Sequence, residues 1–169
     1  MNFAFDEEIL SKKSAIQSMP SFLERYTLHD SDLLEIRIRP SADMLIFINW
    51  DLHWNKEISS EFNLLVIRFN LVYRTKWLEG AWHQNTLSGA ESKVVSEIER
   101  EQMLDDKCFD LRAYQNQRSD IEAPMMNASL THTTFEIMNW GGYEVLHSAE
   151  VDFFCIDEFG NLGEIPFNK

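Results

Sequence analysis

Between Asp32 and Leu52 the chain passes from a polar–apolar alternation, through four turn-forming residues, into an almost wholly apolar run, and nothing else in the sequence narrows the fold as much. Leu34, Ile36 and Ile38 alternate with Glu35, Arg37 and Arg39, the pattern of a strand with one buried face. Pro40-Ser41-Ala42-Asp43 reads as the turn, and Met44 to Leu52 as a second strand, apolar on both sides for most of its length. Two strands joined by so short a connection are expected to pair as an antiparallel hairpin.

The same texture returns downstream. From Phe62 to Val72 a third strand places Leu64, Val66 and Arg68 opposite Leu65, Ile67 and Phe69. In the last third, Thr131 to Met138, Tyr143 to His147 and Glu150 to Ile156 have strand composition, and Asn139-Trp140-Gly141-Gly142 is a turn signal between the first two. His147-Ser148-Ala149-Glu150 either interrupts or bulges one long strand. Strands that follow one another without helices between them favour antiparallel pairing.

Two segments read as helical. Asp6 to Ser18 places Ile9, Leu10 and Ile16 on a common side, and Met19-Pro20 is expected to end that helix, because proline disfavours helical geometry in the residue before it. Ser88, followed three residues later by Glu91, has the form of a capping box and predicts a helix over Ser88 to Asp106. Its apolar side would carry Val94, Val95, Ile98 and Leu104. Lys76 to Leu87 reads equally as strand or irregular loop, Phe109 to Tyr114 as a short strand, and Asn116 to Asn127 as exposed polar chain. No linker or repeat divides the sequence. The expectation is one α+β, β-rich domain over residues 1–169, built on a mostly antiparallel sheet, as a sandwich or a curved sheet, with one or two helices.

Composition bears on what such a domain can meet. The 169 residues include 28 Asp and Glu against 15 Lys and Arg, a net charge of -13, yet 44% are apolar and 12% aromatic. That is ample material for a core at this length, so the acidity belongs to the surface. A field of this sign repels nucleic acid and anionic membrane and attracts cationic partners. The two cysteines, Cys108 and Cys155, form no CxxC pair, and the first ten residues carry Asp6, Glu7 and Glu8 where a signal peptide would want Lys or Arg. A cytoplasmic protein with reduced thiols is expected. Cys155, inside Val151 to Ile156, reads as a small core residue.

Motifs for chemistry are sparse. His29-Asp30 resembles the dyad of metal-dependent phosphohydrolases, but His53, His83, His132 and His147 supply no spacing for the further ligands a metal needs. Asp30 and Ser31 are better read as satisfying backbone groups at the start of a strand. GxSxG, GxGxxG and GxxxxGK[ST] are all missing, and no metal or cofactor is expected. Trp50-Asp51-Leu52-His53-Trp54 places two indoles near a carboxylate. On a strand, Trp50 and Trp54 would share a face, which fits a core, an interface or a small-molecule site. Glu97, Glu99, Glu101, Asp105 and Asp106 make the outer side of the expected helix acidic, either as a solvated face or as a docking surface.

Met19-Pro20-Ser21-Phe22, then Leu28-His29-Asp30-Ser31-Asp32-Leu33-Leu34-Glu35-Ile36, and late Phe135-Glu136-Ile137, Gly141-Gly142 and Val151-Asp152-Phe153-Phe154, resemble small bacterial β-rich families. Those families carry an HD[SA]xL-type segment before a hairpin, and some are grouped with immunity proteins encoded beside polymorphic toxins. The resemblance implies an inhibitor of a toxin and carries over no functional residue. The expected function is therefore a non-catalytic cytoplasmic binding protein for a basic protein partner, such as a cationic toxin. Trp54, Trp82, Glu97, Glu101 and Asp105 are the candidate contact residues. The alternative is a small-molecule-binding or hydrolytic β domain with a pocket near Trp50, His53 and Trp54.

Overall fold

A computed structural model of the chain describes residues 8, 11–14, 16, 18–39, 43–78, 85–99, 130–138 and 141–167. Among the described residues, nine strands form two antiparallel sheets. The first sheet has the order β1 (Asp32–Ile38), β2 (Met44–Asn49), β3 (Leu64–Phe69), β8 (Val151–Ile156), β9 (Leu162–Gly163). The second has the order β4 (Val72–Trp77), β7 (Gly142–Ser148), β6 (Leu130–Ile137), β5 (Leu87–Val94). The β-rich, mostly antiparallel class read from the alternation is the class observed.

The two sheets are halves of one bent ribbon along one side. β3 runs into β4 after only Asn70 and Leu71, and β7 runs into β8 after Ala149 and Glu150, while β3 pairs with β8 and β4 with β7. At the corner the Asn70 amide donates to Glu150 O (3.3 Å) and the Ser148 amide to Leu71 O (2.9 Å). The pair therefore turns the corner with its backbone bonds kept, and of the segment His147 to Glu150 only Ala149 and Glu150 interrupt the strands, where the chain changes sheets. On the far side, the Leu87 amide donates to Ser31 O (2.7 Å) and the Leu33 amide to Asn85 O (2.9 Å), joining β1 to the start of β5.

Between the sheets lies the main core. Met44, Ile46 and Ile48 of β2, Leu65, Ile67 and Phe69 of β3, and Val151, Phe153 and Cys155 of β8 point inward against Phe135, Tyr143 and Val145. The opposite face of the first sheet is also apolar and buried, with Leu45, Phe47, Val66, Phe154 and Ile156 in one cluster. This is why β2, β3 and β8 read as nearly continuous apolar runs, and the split of β3 into two faces is the one its sequence predicts.

Four expectations are corrected. The capping-box pattern at Ser88 does not start a helix: Leu87–Val94 is β5, paired with β6 from Leu87↔Ile137 to Val94↔Thr131. Among the described residues of this stretch only 97–99 are helical, and residues 100–129 lie outside the described residues, with the strand expected over Phe109 to Tyr114 and the exposed chain expected over Asn116 to Asn127. Most of the helix expected over Asp6 to Ser18 also lies outside it, but Lys12 to Ser14 are not helical. The helix instead begins where it was expected to stop. α1 (Met19–Leu23) takes Ser18 as its N-cap and holds Pro20 in its first turn, where a missing N–H costs nothing. In β1 a register shift between Leu33 and Glu35 breaks the alternation, so Leu34 packs with the outer cluster while Leu33, Ile36 and Ile38 belong to the inner one. Finally, β2 ends at Asn49, so Trp50 and Trp54 share no strand face.

Candidate functional site

One end of the sandwich gathers the exposed aromatic and acidic residues. Asp32, Asn49, Leu64, Ile156 and Leu162 lie in one row across the first sheet. The loops that leave this row, residues 28–31, 50–63 and 157–161, therefore project from the same end. Together they carry Asp30, Asp51, Glu57, Glu61, Asp157 and Glu158 and one cation, Lys56, with Glu57 paired to Arg25 from the segment after α1 (2.6 Å). Trp54 (61% exposed) and Phe159 (77% exposed) stand on two of them.

Each loop is held by its own hydrogen bonds. Asp51 Oδ1 accepts from the His53 amide (2.7 Å), turning the chain back so that the His53 and Trp54 rings meet edge to face at 4.6 Å between centroids. Asn55 is buried and ties the 50–63 loop to the end of α1, accepting from the Thr27 amide and donating to Thr27 O and Asp51 O. Asp157 Oδ1 accepts from the amides of Phe159 and Asn161, fixing the β8–β9 turn with Phe159 at its tip. Burial pushes the Asp157 carboxyl up, and these bonds outweigh it, holding it below its ordinary value. Glu61 is likewise held low, chiefly by the Ser59 hydroxyl at 2.5 Å. Both stay charged at neutral pH.

Trp50 is not part of this surface. It is 2% exposed, packs against Phe22 and Tyr26, and donates from Nε1 to Thr27 O (2.9 Å). Trp50, His53 and Trp54 thus do not line a shared pocket: the first is core, the other two are exposed. His29 Nδ1 lies 3.0 Å from Asp30 Oδ2, both exposed, and Asp30 takes a left-handed φ of 63°, which Asp tolerates better than most residues. Ser31 does satisfy a backbone group, its Oγ accepting from the Asp51 amide. Among the described residues no three His, Cys, Asp or Glu side chains converge as metal ligands, and no helix is long and apolar enough to cross a membrane.

The candidate contact residues are not brought together. Trp54 stands at the acidic end. Glu97 is exposed three residues beyond Val94, whose register partners lie at the Leu130–Ser148–Val72 end of the second sheet. That end meets the first sheet at the Asn70 corner, away from the row that carries Trp54. Trp82, Glu101 and Asp105 lie outside the described residues.

Two interior polar groups escaped the sequence reading. His147 is fully buried, edge to face with Phe69 at 4.5 Å between centroids, with Nδ1 donating to Ser148 O (2.6 Å) and Nε2 accepting from Thr133 Oγ1 (2.7 Å). Thr133 in turn accepts from Ser92 (2.9 Å). Burial lowers the His147 pKa to about 4, so the ring is neutral and sealed. The second is Arg68–Asp152, on the outer face of the first sheet. The signal for both was a polar residue set among apolar residues on the same face of its strand. Cys155 is core, its thiol pushed up to about 11 by burial, which makes it a poor nucleophile.

No family model, curated protein or solved structure matches the chain.

Proposed function

We propose that this chain is a non-catalytic binding protein that captures a basic protein partner, with the acidic end of the sandwich as its docking surface. The observation that carries the reading is the placement of Trp54 and Phe159, both exposed, on loops with six carboxylates, of which Glu57 is paired with Arg25, and one lysine. Exposed aromatics are favoured anchors in protein interfaces, and carboxylates around them speed the encounter with a cationic surface. The interior supports a binding role over a catalytic one: His147 and Cys155, the groups there with useful chemistry, are held neutral and out of reach. Neutralisation of a cationic toxin in the cytoplasm, the role that the HD[SA]xL resemblance implies, fits a surface of this kind.

The test is capture by the immobilised protein from the native host at low and high salt, followed by kinetics with the retained protein. A basic partner is expected, with association slowed several-fold at low salt by the combined Glu57→Lys, Glu61→Lys and Glu158→Lys changes and little affected at high salt. Trp54→Ala is expected to speed dissociation. A partner whose association ignores both salt and the three reversals overturns the reading.

A further inference from the structure

One buried side chain fixes the backbone beside the exposed Trp54. Asn55 is 3% exposed, and the oxygen and both hydrogens of its amide are bonded. Its Oδ1 accepts from the Thr27 amide (2.9 Å), while its Nδ2 donates to Thr27 O (3.0 Å) and Asp51 O (2.8 Å). Only Asn and Gln carry an acceptor and two donors on one planar group. The backbone of Asn55 also closes two successive turns, its amide donating to Leu52 O (3.2 Å) and its carbonyl accepting from the Ile58 amide (3.0 Å).

On the other side of Trp54, Asp51 Oδ1 holds the His53 amide (2.7 Å) and Ser31 Oγ holds the Asp51 amide (2.9 Å). Thr27, which Asn55 grips, follows Tyr26, whose amide donates to Phe22 O of α1 (2.9 Å), and Thr27 O also receives the indole N–H of the buried Trp50. The residues before and after Trp54 are therefore tied to the core, while the Trp54 side chain is 61% exposed. A purely structural Asn55 would fasten the loop so that Ile58, 5% exposed, reaches the core, with Trp54 a bystander. An exposed aromatic that anchors a partner gains from being fixed in advance, because ordering it on binding costs affinity.

We propose that Asn55 is the positioning residue of the acidic end: it holds Trp54 in its docking arrangement in the free chain, so that a basic partner meets a preformed anchor. The proposal rests on the reading of the acidic end as the docking surface. Asn55 itself is buried and acts through Trp54.

The test begins with backbone relaxation of the full chain without a partner, comparing the wild type, Asn55→Ala and a control, Leu146→Ala, which removes buried apolar groups from a separate cluster on the second sheet. The order parameter at Trp54 is expected near about 0.85 in the wild type and the control and below about 0.6 in Asn55→Ala. Asn55→Ser takes the place of Asn55→Ala if that variant does not fold. With the basic protein retained in the capture experiment, Asn55→Ala should bind roughly three- to tenfold more weakly. The double variant Asn55→Ala with Trp54→Ala should bind no more weakly than Trp54→Ala alone, since a residue that acts through Trp54 has nothing left to act on. An order parameter at Trp54 unchanged by Asn55→Ala, one lowered equally by Leu146→Ala, or losses of affinity that add in the double variant each overturns the proposal. Retention of no basic protein counts instead against the acidic end as a docking surface, and the relaxation of the free chain still decides whether Asn55 positions Trp54.

Discussion

Arg68 and Asp152 face each other across β3 and β8, with Arg68 Nη2 2.6 Å from Asp152 Oδ2 and side chains only 6% and 1% exposed. Around this pair the chain's amino-terminal segment is fastened down. Arg68 also donates to Lys12 O, Asp152 Oδ1 accepts from the Ser14 amide, and Asn70 at the corner donates to Asp152 Oδ2. One carboxylate thus ties together two strands, the corner between the sheets and residues 12–14.

Removing the carboxylate should be far worse than removing the pair. Asp152→Ala leaves a buried guanidinium without its counter-charge, and a loss of about 3–5 kcal/mol is expected in urea unfolding. The double change Arg68→Met with Asp152→Leu should recover most of it, because no charge then needs compensation. A double variant no more stable than Asp152→Ala would show that the pair's value lies in fastening residues 12–14.

The same carboxylate contributes to acid sensitivity. Burial pushes the Asp152 pKa up, but the bonds from Asn70, the Ser14 amide and Arg68 outweigh it and hold it below its ordinary value. A group depressed on folding stabilises fully above its unfolded pKa, about 3.9 for Asp, and that stability is lost as pH falls through the folded value. His147 acts in a higher window. Its pKa falls to about 4, mainly by burial, so between about 6.5 and 4 the unfolded chain binds a proton that the folded chain refuses. Stability should drop by about 3 kcal/mol as pH falls through that window. Urea midpoints at pH 7 and pH 4.5 should show this slope for the wild type and a flatter one for His147→Gln.

The fold class was legible because the signal is repeated: β2, β3 and β8 each announce themselves as apolar runs bounded by turns. The helix at Ser88 was misread for a physical reason. A capping box is a local pattern of two residues, whereas β5 is set by its register with β6 and by the Ser92–Thr133 hydrogen bond, contacts forty residues away that local propensity does not see. The bulge at Leu33–Glu35 is equally invisible to a counting rule, since one extra residue moves Leu34 to the other face without changing composition. The acidic end was half legible. Trp54 was named as a candidate contact residue while its segment read as core, interface or pocket, and its company was not seen, because loops 28–31, 50–63 and 157–161 meet only through strand order. Phe159, at the tip of the Asp157 turn, was missed altogether; an aromatic two residues after a turn-forming Asp is the signal that was there to find.

Gly142 tests the close approach of β6 and β7. A Cβ added there would lie 2.4 Å from the Phe135 carbonyl oxygen, a backbone atom that cannot rotate away. Gly142→Ala should therefore cost about 2 kcal/mol or more in urea unfolding. A neutral Gly142→Ala would mean that the strands separate there at little cost.

The two tryptophans that the sequence placed together should behave oppositely. Trp50 is enclosed by Phe22 and Tyr26 and spends its indole N–H on Thr27 O, so Trp50→Ala removes a large buried ring and one of the two donors to that carbonyl, leaving Asn55 as the other. A loss of about 3–5 kcal/mol is expected. Trp54 touches His53 and water, so Trp54→Ala should change stability by no more than about 0.5 kcal/mol while shortening the lifetime of the complex with a basic partner. Fluorescence separates the two without any variant: a neutral quencher such as acrylamide should reach Trp54 freely and Trp50 hardly at all, and in the complex the Trp54 contribution should become protected. If Trp54 stays equally open to quencher when the basic partner is bound, the partner docks elsewhere, and the acidic end loses its claim as the binding surface.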